Sequence, residues 1–240
     1  MKQSELQSRV NNYLELMGLQ VSPAQCTLLA RHIELVLEAN QRVNLTRITD
    51  PADAVRRHTG DSLSVLADVE GAPQGAVLDL GTGAGFPGIP LAICGDRAVV
   101  LLDSVGKKIR ELELIVLALR LSPRVSSVAG RAEALAHTAP SSFGVVVARA
   151  VSELPALVEL ASPLLAKDGR LVCLKGSPSA EETVRADLVA ALVGMRLEYQ
   201  RSFEMPEHAG HRTVLCYRKI GASTVRLPRR EGLAQHAPLA

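Results

Sequence analysis

The chain has few aromatic residues and few cysteines. Among its 240 residues there are no tryptophans, three tyrosines and three phenylalanines, which excludes a broad aromatic surface for stacking nucleic-acid bases. The four cysteines lie far apart and form no Cys-x-x-Cys pair, so we expect neither a disulfide scaffold nor a zinc site of ordinary spacing. The sequence predicts no metal site.

The sequence also lacks a long uninterrupted apolar run. No segment of about 18 residues is free of charged and turn-forming residues, so no membrane-spanning helix is predicted. The first residues, MKQSELQSRV, carry no apolar stretch of the kind found in secretory signals. We therefore expect a cytoplasmic protein without membrane association.

Charge is nearly balanced over the whole chain but not along it. A formal net charge of +2 at pH 7 excludes a uniformly basic protein. Positions 201–240 nevertheless carry seven lysines and arginines against three acidic residues, which predicts a basic patch at the C-terminal end. With 47% hydrophobic residues, the chain is able to bury a sizeable core.

The first 70 residues have the pattern of helices. Ser22 and Gln25 form a predicted capping box around Pro23, and Asp50-Pro51 has the pattern of another helix start. Gly18 is placed to end the first helix, whose apolar stripe comprises Leu6, Val10, Tyr13, Leu14 and Met17. We predict a helical N-terminal cap over 1–70.

From Gly75 onward, short apolar runs alternate with helical patterns. Strands are predicted at 76–80, 98–102, 124–128, 143–148 and 170–175, and helices at 87–94, 106–120, 153–166 and 179–192. This alternation is typical of a parallel α/β sheet covered on both faces. Two further strands, 196–203 and 212–218, predict an antiparallel terminal hairpin, so this domain covers 71–220. A basic tail, mobile or docked, follows over 221–240.

The segment VLDLGTGAGFPGIPLAI has the pattern of a ligand-binding turn. A strand runs into Asp79, then into Gly81, Gly83 and Gly85, and Pro87 opens a helix. Glycines at a strand-to-helix turn let the backbone approach a ligand closely. In open α/β sheets such turns lie at the carboxyl edge, where ligands bind.

The next strand ends in Asp103, whose carboxylate is placed to accept hydrogen bonds from a ribose diol. Loop and acid together predict a site for a nucleoside-bearing cofactor. Gly83, Gly85 and Gly88 match the dinucleotide pattern G-x-G-x-x-G, so a nicotinamide-dependent oxidoreductase is one hypothesis. The acidic Asp79 suits a cofactor with a cationic amino-acid end better, and S-adenosylmethionine is such a cofactor.

Several motifs, in order along nearly the whole chain, resemble the ribosomal RNA small-subunit methyltransferase G family, also called glucose-inhibited division protein B. They are NLTRI at 44–48, the RH and DS pairs within 57–62, DLGTGAGFPGIPL at 79–91, LLDSVGKK at 101–108, ARA at 148–150, LKG at 174–176, HRTV at 211–214 and the PRREG ending. The resemblance implies a Rossmann-like methyltransferase sheet that uses S-adenosylmethionine.

The same resemblance implies methylation of guanine N7 in bacterial small-subunit (16S) ribosomal RNA. The expected partner is that RNA or the small ribosomal subunit, and the expected state is a monomer. Carried over by position, the implied cofactor contacts are Gly81, Phe86, Ala132, Glu133 and Arg149. Gly83 and Asp103 join them from the loop and ribose arguments above.

The residues agree with this chemistry. Amino-methyltransferases resemble one another in an Asn/Asp-Pro-Pro-aromatic turn after the fourth strand, whereas here the strand FGVVVA runs into Arg149. The sequence also contains no Pro-Cys pair, which methylation of pyrimidine C5 requires. Guanine N7 already has an in-plane lone pair, so positioning alone supplies much of the catalysis. A non-catalytic ribosome-assembly factor that keeps the loop as structure remains an alternative.

Basic residues near the predicted carboxyl edge are candidates for target positioning. Lys175, His211 and Arg212 lie at strand ends there, and no catalytic acid or base is predicted with certainty. Arg57 and Asp61 are one helical turn apart and predict a surface ion pair. Arg229 and Arg230 in the tail are predicted phosphate contacts.

Overall fold

The computed structural model describes residues 2–149 and 151–240, so Ala150 of the ARA motif lies outside it. Its strands are β1 Ala76–Leu80, β2 Val99–Asp103, β3 Val125–Ala129, β4 Phe143–Arg149, β5 Leu165–Lys175, β6 Met195–Met205 and β7 Gly210–Lys219. They form one sheet of order β3-β2-β1-β4-β5-β7-β6 across the described residues. The first five strands pair in parallel and β7 pairs antiparallel with β5 and β6. The predicted Rossmann-like sheet with a terminal hairpin is confirmed.

Strand order reverses between β1 and β4. From β1 the chain moves outward to β2 and β3, then returns to place β4 on the other side of β1. A crevice forms at such a reversal, at the carboxyl ends of the strands, because the connecting helices leave in opposite directions. The glycine loop after β1 therefore lies at the centre of the ligand-binding edge.

The helices form a layer on each face of the sheet. They are α1 Gln3–Leu16, α2 Pro23–Ala39, α3 Pro51–Ala54, α4 Asp61–Leu63, α5 Leu66–Glu70, α6 Gly88–Cys94, α7 Gly106–Ala118, α8 Ala132–Thr138, α9 Leu154–Ala161, α10 Ala180–Leu192 and α11 Leu233–His236, with a π-helical segment Val55–Gly60. Successive strand residues point to opposite faces, so Val77 joins the core under α1, α2, α6 and α7, and Leu78 joins the core under α8, α9 and α10. No helix in the described ranges has the length and hydropathy to span a bilayer.

The N-terminal helices begin and end where their capping residues predict. The Ser22 side chain accepts from the Gln25 N–H at 3.2 Å and the Gln25 side chain accepts from the Ser22 N–H at 2.8 Å, which completes the capping box. The Asp50 side chain accepts from the Asp53 N–H at 2.8 Å. Gly18 has φ +72°, so it ends α1 in the left-handed region. Within residues 2–75 the structure contains no strand.

These helices do not form a separate core. Leu14 of α1 and Ile33 of α2 belong to the same buried cluster as Val77 of β1 and Leu101 of β2. The cap is therefore a layer of the main domain, and it fixes its residues relative to the carboxyl edge of the sheet.

The predicted helix at 153–166 is too long. Helix α9 ends at Ala161, and β5 begins at Leu165, before the predicted start at 170. Pro163 ends the helix because the residue before a proline is disfavoured in the helical region and proline has no N–H to donate. Leu164 and Leu165 are buried in the sheet core, so these apolar residues belong to the strand and not to the helix whose pattern they extend.

Candidate active site

An open pocket lies at the carboxyl ends of β1, β2 and β3. Four residues predicted to bind the cofactor line it together, namely Gly81, Asp103, Ala132 and Glu133. They come from the glycine loop, the end of β2 and the start of α8. Gly130 also lines the pocket, and a Cβ there would meet no atom within 4 Å, so the space above its backbone is open.

Gly81 brings the loop backbone close to its neighbours. Its N–H donates to the Leu102 carbonyl at 2.8 Å, which joins the loop to β2. It has φ +72°, and a Cβ on it would lie 2.6 Å from Cγ2 of Val151. Both the backbone conformation and the close contact require glycine at this position.

Asp103 is held in place from both sides. Its Oδ2 accepts from the Gly83 N–H at 3.1 Å and its Oδ1 accepts from the Val105 N–H at 2.9 Å. Each carboxylate oxygen has lone pairs for a further hydrogen bond, and the side chain lines the pocket. Gly83 itself has φ +60°, and a Cβ there would approach only the Gly81 carbonyl, at 4.0 Å. The loop therefore orients the carboxylate that the sequence assigns to a ribose diol.

Asp79 is fully buried beneath the glycine loop. Its Oδ2 accepts from Oγ1 of Thr82 at 2.6 Å and from the Gly88 N–H at 2.7 Å. Its Oδ1 has no partner within the described residues. Burial raises the pKa of this carboxyl from 3.8 to about 6, because the hydrogen bonds from Thr82 and Gly88 only partly offset the desolvation. The second oxygen is therefore a buried acceptor beneath the loop, and Asp79 does not line the pocket.

Phe86 is not part of the pocket wall. Its ring is buried between the imidazoles of His32 and His58, with ring centroids 4.4 Å and 4.5 Å apart. The guanidinium carbon of Arg149 lies 5.6 Å from its centroid. Phe86 and Arg149 thus meet each other beside the loop, in a cluster separate from Asp103 and Glu133.

Arg149 and Arg212 share the carboxylate of Asp61. Arg149 Nη1 donates to Oδ2 at 3.1 Å, and Arg212 Nε donates to Oδ1 at 2.6 Å. Asp61 is buried, whereas the Arg57 side chain is exposed and contributes only its carbonyl, which accepts from Arg149 at 3.0 Å. The predicted Arg57–Asp61 surface pair is wrong, because the cap turns Asp61 inward onto β4 and β7. One carboxylate and two guanidinium groups leave a net positive charge here.

His58 is neutral in this cluster. Burial, followed by the positive charge of Arg149, lowers its pKa to about 3. Its Nδ1 accepts from Nη2 of Arg149 at 3.0 Å, so the proton lies on Nε2 and is donated to Oγ1 of Thr46 at 2.8 Å. This imidazole orients Arg149 and has no free nitrogen for a substrate proton.

Lys175 and His211 lie at the carboxyl edge as predicted, but each already has a partner. Lys175 Nζ is 2.7 Å from Oε1 of Glu182 and donates to the Ser152 carbonyl at 3.1 Å. His211 Nδ1 lies 2.8 Å from Oε1 of Glu204, at the half-buried start of β7. Lys175 therefore braces the turn after β4, while His211 remains near solvent.

The tail docks against the main domain. Arg229 donates to both carboxylate oxygens of buried Glu159, at 2.7 Å and 2.6 Å. The predicted phosphate contact at Arg229 is therefore wrong, because its guanidinium is used in a tertiary ion pair. Arg230 is exposed and stays a candidate.

Several contributors were missed from the sequence, and three of them depend on distant contacts. Gln235 of the tail and Val151 line the pocket, and Asp61 joins two arginines. No local pattern marks them, because each acts through a contact with a distant part of the chain. Within residues 2–149 and 151–240 no group of three metal-ligating side chains occurs.

Comparison with known proteins identifies relatives along nearly the whole chain. The family described as rRNA small subunit methyltransferase G matches residues 25–209. The Ribosomal RNA small subunit methyltransferase G of Deinococcus radiodurans is 39% identical over 226 residues, 93% of this chain and 88% of that protein. Its counterpart in Desulfitobacterium hafniense is 34% identical over 226 residues, 93% of each chain.

A solved structure shares the fold at low identity. The O-methyltransferase of Bacillus cereus in complex with SAH superposes with a TM-score of 0.57 and 18% identity, over 91% of this chain and all of that chain. At this identity the likeness concerns the arrangement of strands and helices.

Proposed function

We propose, since this chain belongs to the rRNA small subunit methyltransferase G family, that it methylates guanine N7 in 16S ribosomal RNA with S-adenosylmethionine. The observation that carries the cofactor assignment is the convergence of Gly81, Asp103, Ala132 and Glu133 on one pocket. Family membership favours this function over the nicotinamide-dependent oxidoreductase and over the non-catalytic assembly factor.

The pocket residues fit an adenosine. Asp103 has acceptor capacity left on both oxygens after binding two backbone N–H groups, which suits a ribose diol. Gly130 leaves open space where a side chain would fill the pocket, and Ala132 adds only a methyl group beside it. We assign the base to the turn between β3 and α8.

Asp79 fits the amino-acid end. Because its unpartnered Oδ1 is buried beneath the loop, an ammonium group above the loop would satisfy this acceptor through one water molecule. A phosphate at this point would be repelled by the same carboxylate, which again favours a sulfonium cofactor over a dinucleotide. S-adenosylmethionine supplies an electrophilic methyl group, and the protein has only to hold donor and acceptor in line.

The residues near the loop support a target that needs no deprotonation. His58 is buried and neutral, with both ring nitrogens in hydrogen bonds. Guanine N7 offers its own lone pair, so a site built for positioning is sufficient. Arg149 is proposed to lie between cofactor and target, with the Asp61 network fixing its guanidinium and the buried ring of Phe86 packed behind it.

The positive excess around Asp61 supports an RNA partner. Arg149 and Arg212 together exceed the charge of one carboxylate, and Arg57 adds an exposed cation nearby. Such groups attract phosphates without reading sequence. Lys175 is proposed to act indirectly, by holding the turn after β4, and His211 is proposed to contact the target or its phosphates.

The test offers methyl-labelled S-adenosylmethionine to purified small ribosomal subunits and to free 16S RNA. An N7-methylated guanine carries a positive ring charge, so reduction followed by aniline cleaves the strand at that nucleotide. We expect label in RNA and one such cleavage site. A label that resists this treatment, or no transfer to either substrate, contradicts the proposal.

Two aspartates provide a matched comparison. Asp103→Ala removes the proposed ribose acceptor, whereas Asp96→Ala changes an exposed aspartate just before β2, at the opposite end of that strand. We expect transfer to fall strongly in the first variant and to persist in the second. Equal activities would remove Asp103 from the cofactor site.

A further inference from the structure

The C-terminal tail completes the wall of the proposed cofactor pocket. Gln235 lies on α11, over a hundred residues beyond the turn at Gly130, yet both line the same pocket. The tail therefore contributes a polar side chain to the pocket half that we assign to the base.

The tail is anchored firmly enough to act as a wall. Ala234, next to Gln235, is 1% exposed. The Gly232 N–H donates to Oε1 of Glu133 at 2.8 Å, so the pocket residue Glu133 itself holds the start of α11. The paired contacts of Arg229 with buried Glu159 fix the segment before it.

The end of the tail is also tied down. Arg185 of α10 donates to the carbonyl of Ala240 through Nε at 3.1 Å and through Nη2 at 2.9 Å. Contacts on both sides of α11 therefore keep Gln235 at the pocket.

The orientation of the Gln235 amide follows from its neighbour. Arg131 Nη1 donates to Oε1 of Gln235 at 2.9 Å. Because a guanidinium only donates, the amide oxygen faces Arg131 and the NH2 group is left as a pair of donors. Within the described residues this NH2 group makes no hydrogen bond.

An adenine base is complementary to such a donor. Its ring nitrogens N1, N3 and N7 accept hydrogen bonds and donate none. We propose that Gln235 is a specificity-determining residue of the cofactor site, whose NH2 group donates to one ring nitrogen of the adenine while Arg131 holds the amide in place. This inference rests on the proposed function, because it needs an adenosyl ligand in the pocket.

The test uses the full-length protein and calorimetric affinities for S-adenosylhomocysteine and for its 1-deaza, 3-deaza and 7-deaza adenine analogues. We expect Gln235→Ala to bind the parent ligand about five- to tenfold more weakly, the fold-change of one lost hydrogen bond. One deaza analogue should show the same loss with the wild-type protein and no further loss with Gln235→Ala.

His236→Ala is the matched control, since His236 is exposed on the same short helix and does not line the pocket. It should bind all four ligands like the wild-type protein. The assignment of Gln235 is overturned, while the proposed cofactor stands, if Gln235→Ala binds with unchanged affinity. It is also overturned if each deaza analogue loses the same affinity in Gln235→Ala as in the wild-type protein. A wild-type protein that binds none of the four ligands overturns the proposed cofactor as well.

Discussion

Replacing Asp79 by asparagine separates the stability of the loop from its function. The carboxyl is fully buried, and its Oδ2 holds Thr82 and Gly88 while Oδ1 is unpartnered. An asparagine keeps the shape and one acceptor oxygen but removes the charge. We expect Asp79→Asn to be as stable as the wild-type protein or more stable at neutral pH, and to bind the cofactor more weakly.

The stability change follows from the pKa of Asp79. Its folded pKa of about 6 lies above the unfolded value of 3.8, so the folded state binds more protons than the unfolded state between these values. Stability from this group is thus fully present below about pH 4 and is lost as pH rises through about 6, by about 3 kcal/mol in total. The asparagine avoids this loss but leaves an unpaired NH2, which costs about 1–3 kcal/mol.

The comparison of two pH values cancels the cost of that unpaired NH2. The folded and unfolded pKa values of Asp79 together predict how the free energy of unfolding changes with pH. Between pH 5 and pH 7.5 that free energy should fall by about 1.4 kcal/mol in the wild-type protein relative to Asp79→Asn. Urea unfolding of both proteins at the two pH values measures this difference directly.

Cofactor affinity of the wild-type protein should rise with pH, whereas its stability should fall. Below pH 6 the free carboxyl of Asp79 is mostly protonated, so wild-type affinity for S-adenosylhomocysteine should weaken toward about tenfold per pH unit. Losing a charge-assisted hydrogen bond should cost Asp79→Asn about ten- to a hundredfold at pH 7.5 and flatten its pH dependence. A less stable variant with unchanged affinity would mean that Asp79 serves the loop alone.

Four further predictions test other parts of the structure. Arg229→Ala should destabilise the fold by about 3 kcal/mol in urea unfolding, because Glu159 stays buried without its partner. Gly81→Ala should lower the free energy of unfolding by about 2–4 kcal/mol, because the new Cβ would lie 2.6 Å from a side-chain carbon. Gly18 has the same φ, but a Cβ there would meet no atom within 4 Å, so Gly18→Ala should lower it by only about 1 kcal/mol. Arg149→Ala should weaken S-adenosylhomocysteine binding in calorimetry and slow methyl transfer, and it should destabilise the fold by about 1–3 kcal/mol because it removes a hydrogen-bonded neighbour of a buried carboxylate. The association constant for RNA should fall linearly with salt on logarithmic axes, as filter binding at several salt concentrations measures.

Each of these has a control or a contradicting result. An Arg229→Met/Glu159→Leu double variant should regain most of the stability, because neither charge is left buried. Val151→Ala should partly rescue Gly81→Ala by removing the contacting carbons. Equal costs at Gly18 and Gly81 would refute the steric argument. Unchanged ligand binding in Arg149→Ala would exclude that residue from the site, and a flat salt dependence would exclude the basic patch as an RNA contact.

Local patterns predicted the sheet and four of the residues that line the candidate pocket. The apolar runs and the capping residues Ser22 and Asp50 gave the elements, because helix starts and buried strands depend on residues close in sequence. Asp103 and Gly81 were predictable because parallel strands bring their carboxyl ends to one edge whatever the details of packing.

The rest of the candidate site depends on contacts between distant segments. Asp61 bonds Arg149 at a separation of 88 residues and Arg212 at 151, whereas the local rule of one helical turn pointed to Arg57. An i, i+4 pair on a surface is worth only a few tenths of a kcal/mol, about 0.2–0.5. Burying Asp61 against two guanidinium groups offers stronger, less screened interactions, so tertiary packing determined its partners.

The same argument explains the two arginines of the tail. Arg229 and Arg230 are adjacent and chemically identical, and the sequence predicted phosphate contacts for both. The structure pairs the guanidinium of Arg229 with buried Glu159 and leaves Arg230 exposed. Docking of the tail therefore uses Arg229 for anchoring, which places Gln235 at the pocket, and leaves Arg230 as the cation for a phosphate. An Arg230→Ala variant should then lower RNA affinity and its salt dependence without changing urea unfolding, whereas Arg229→Ala should change the unfolding.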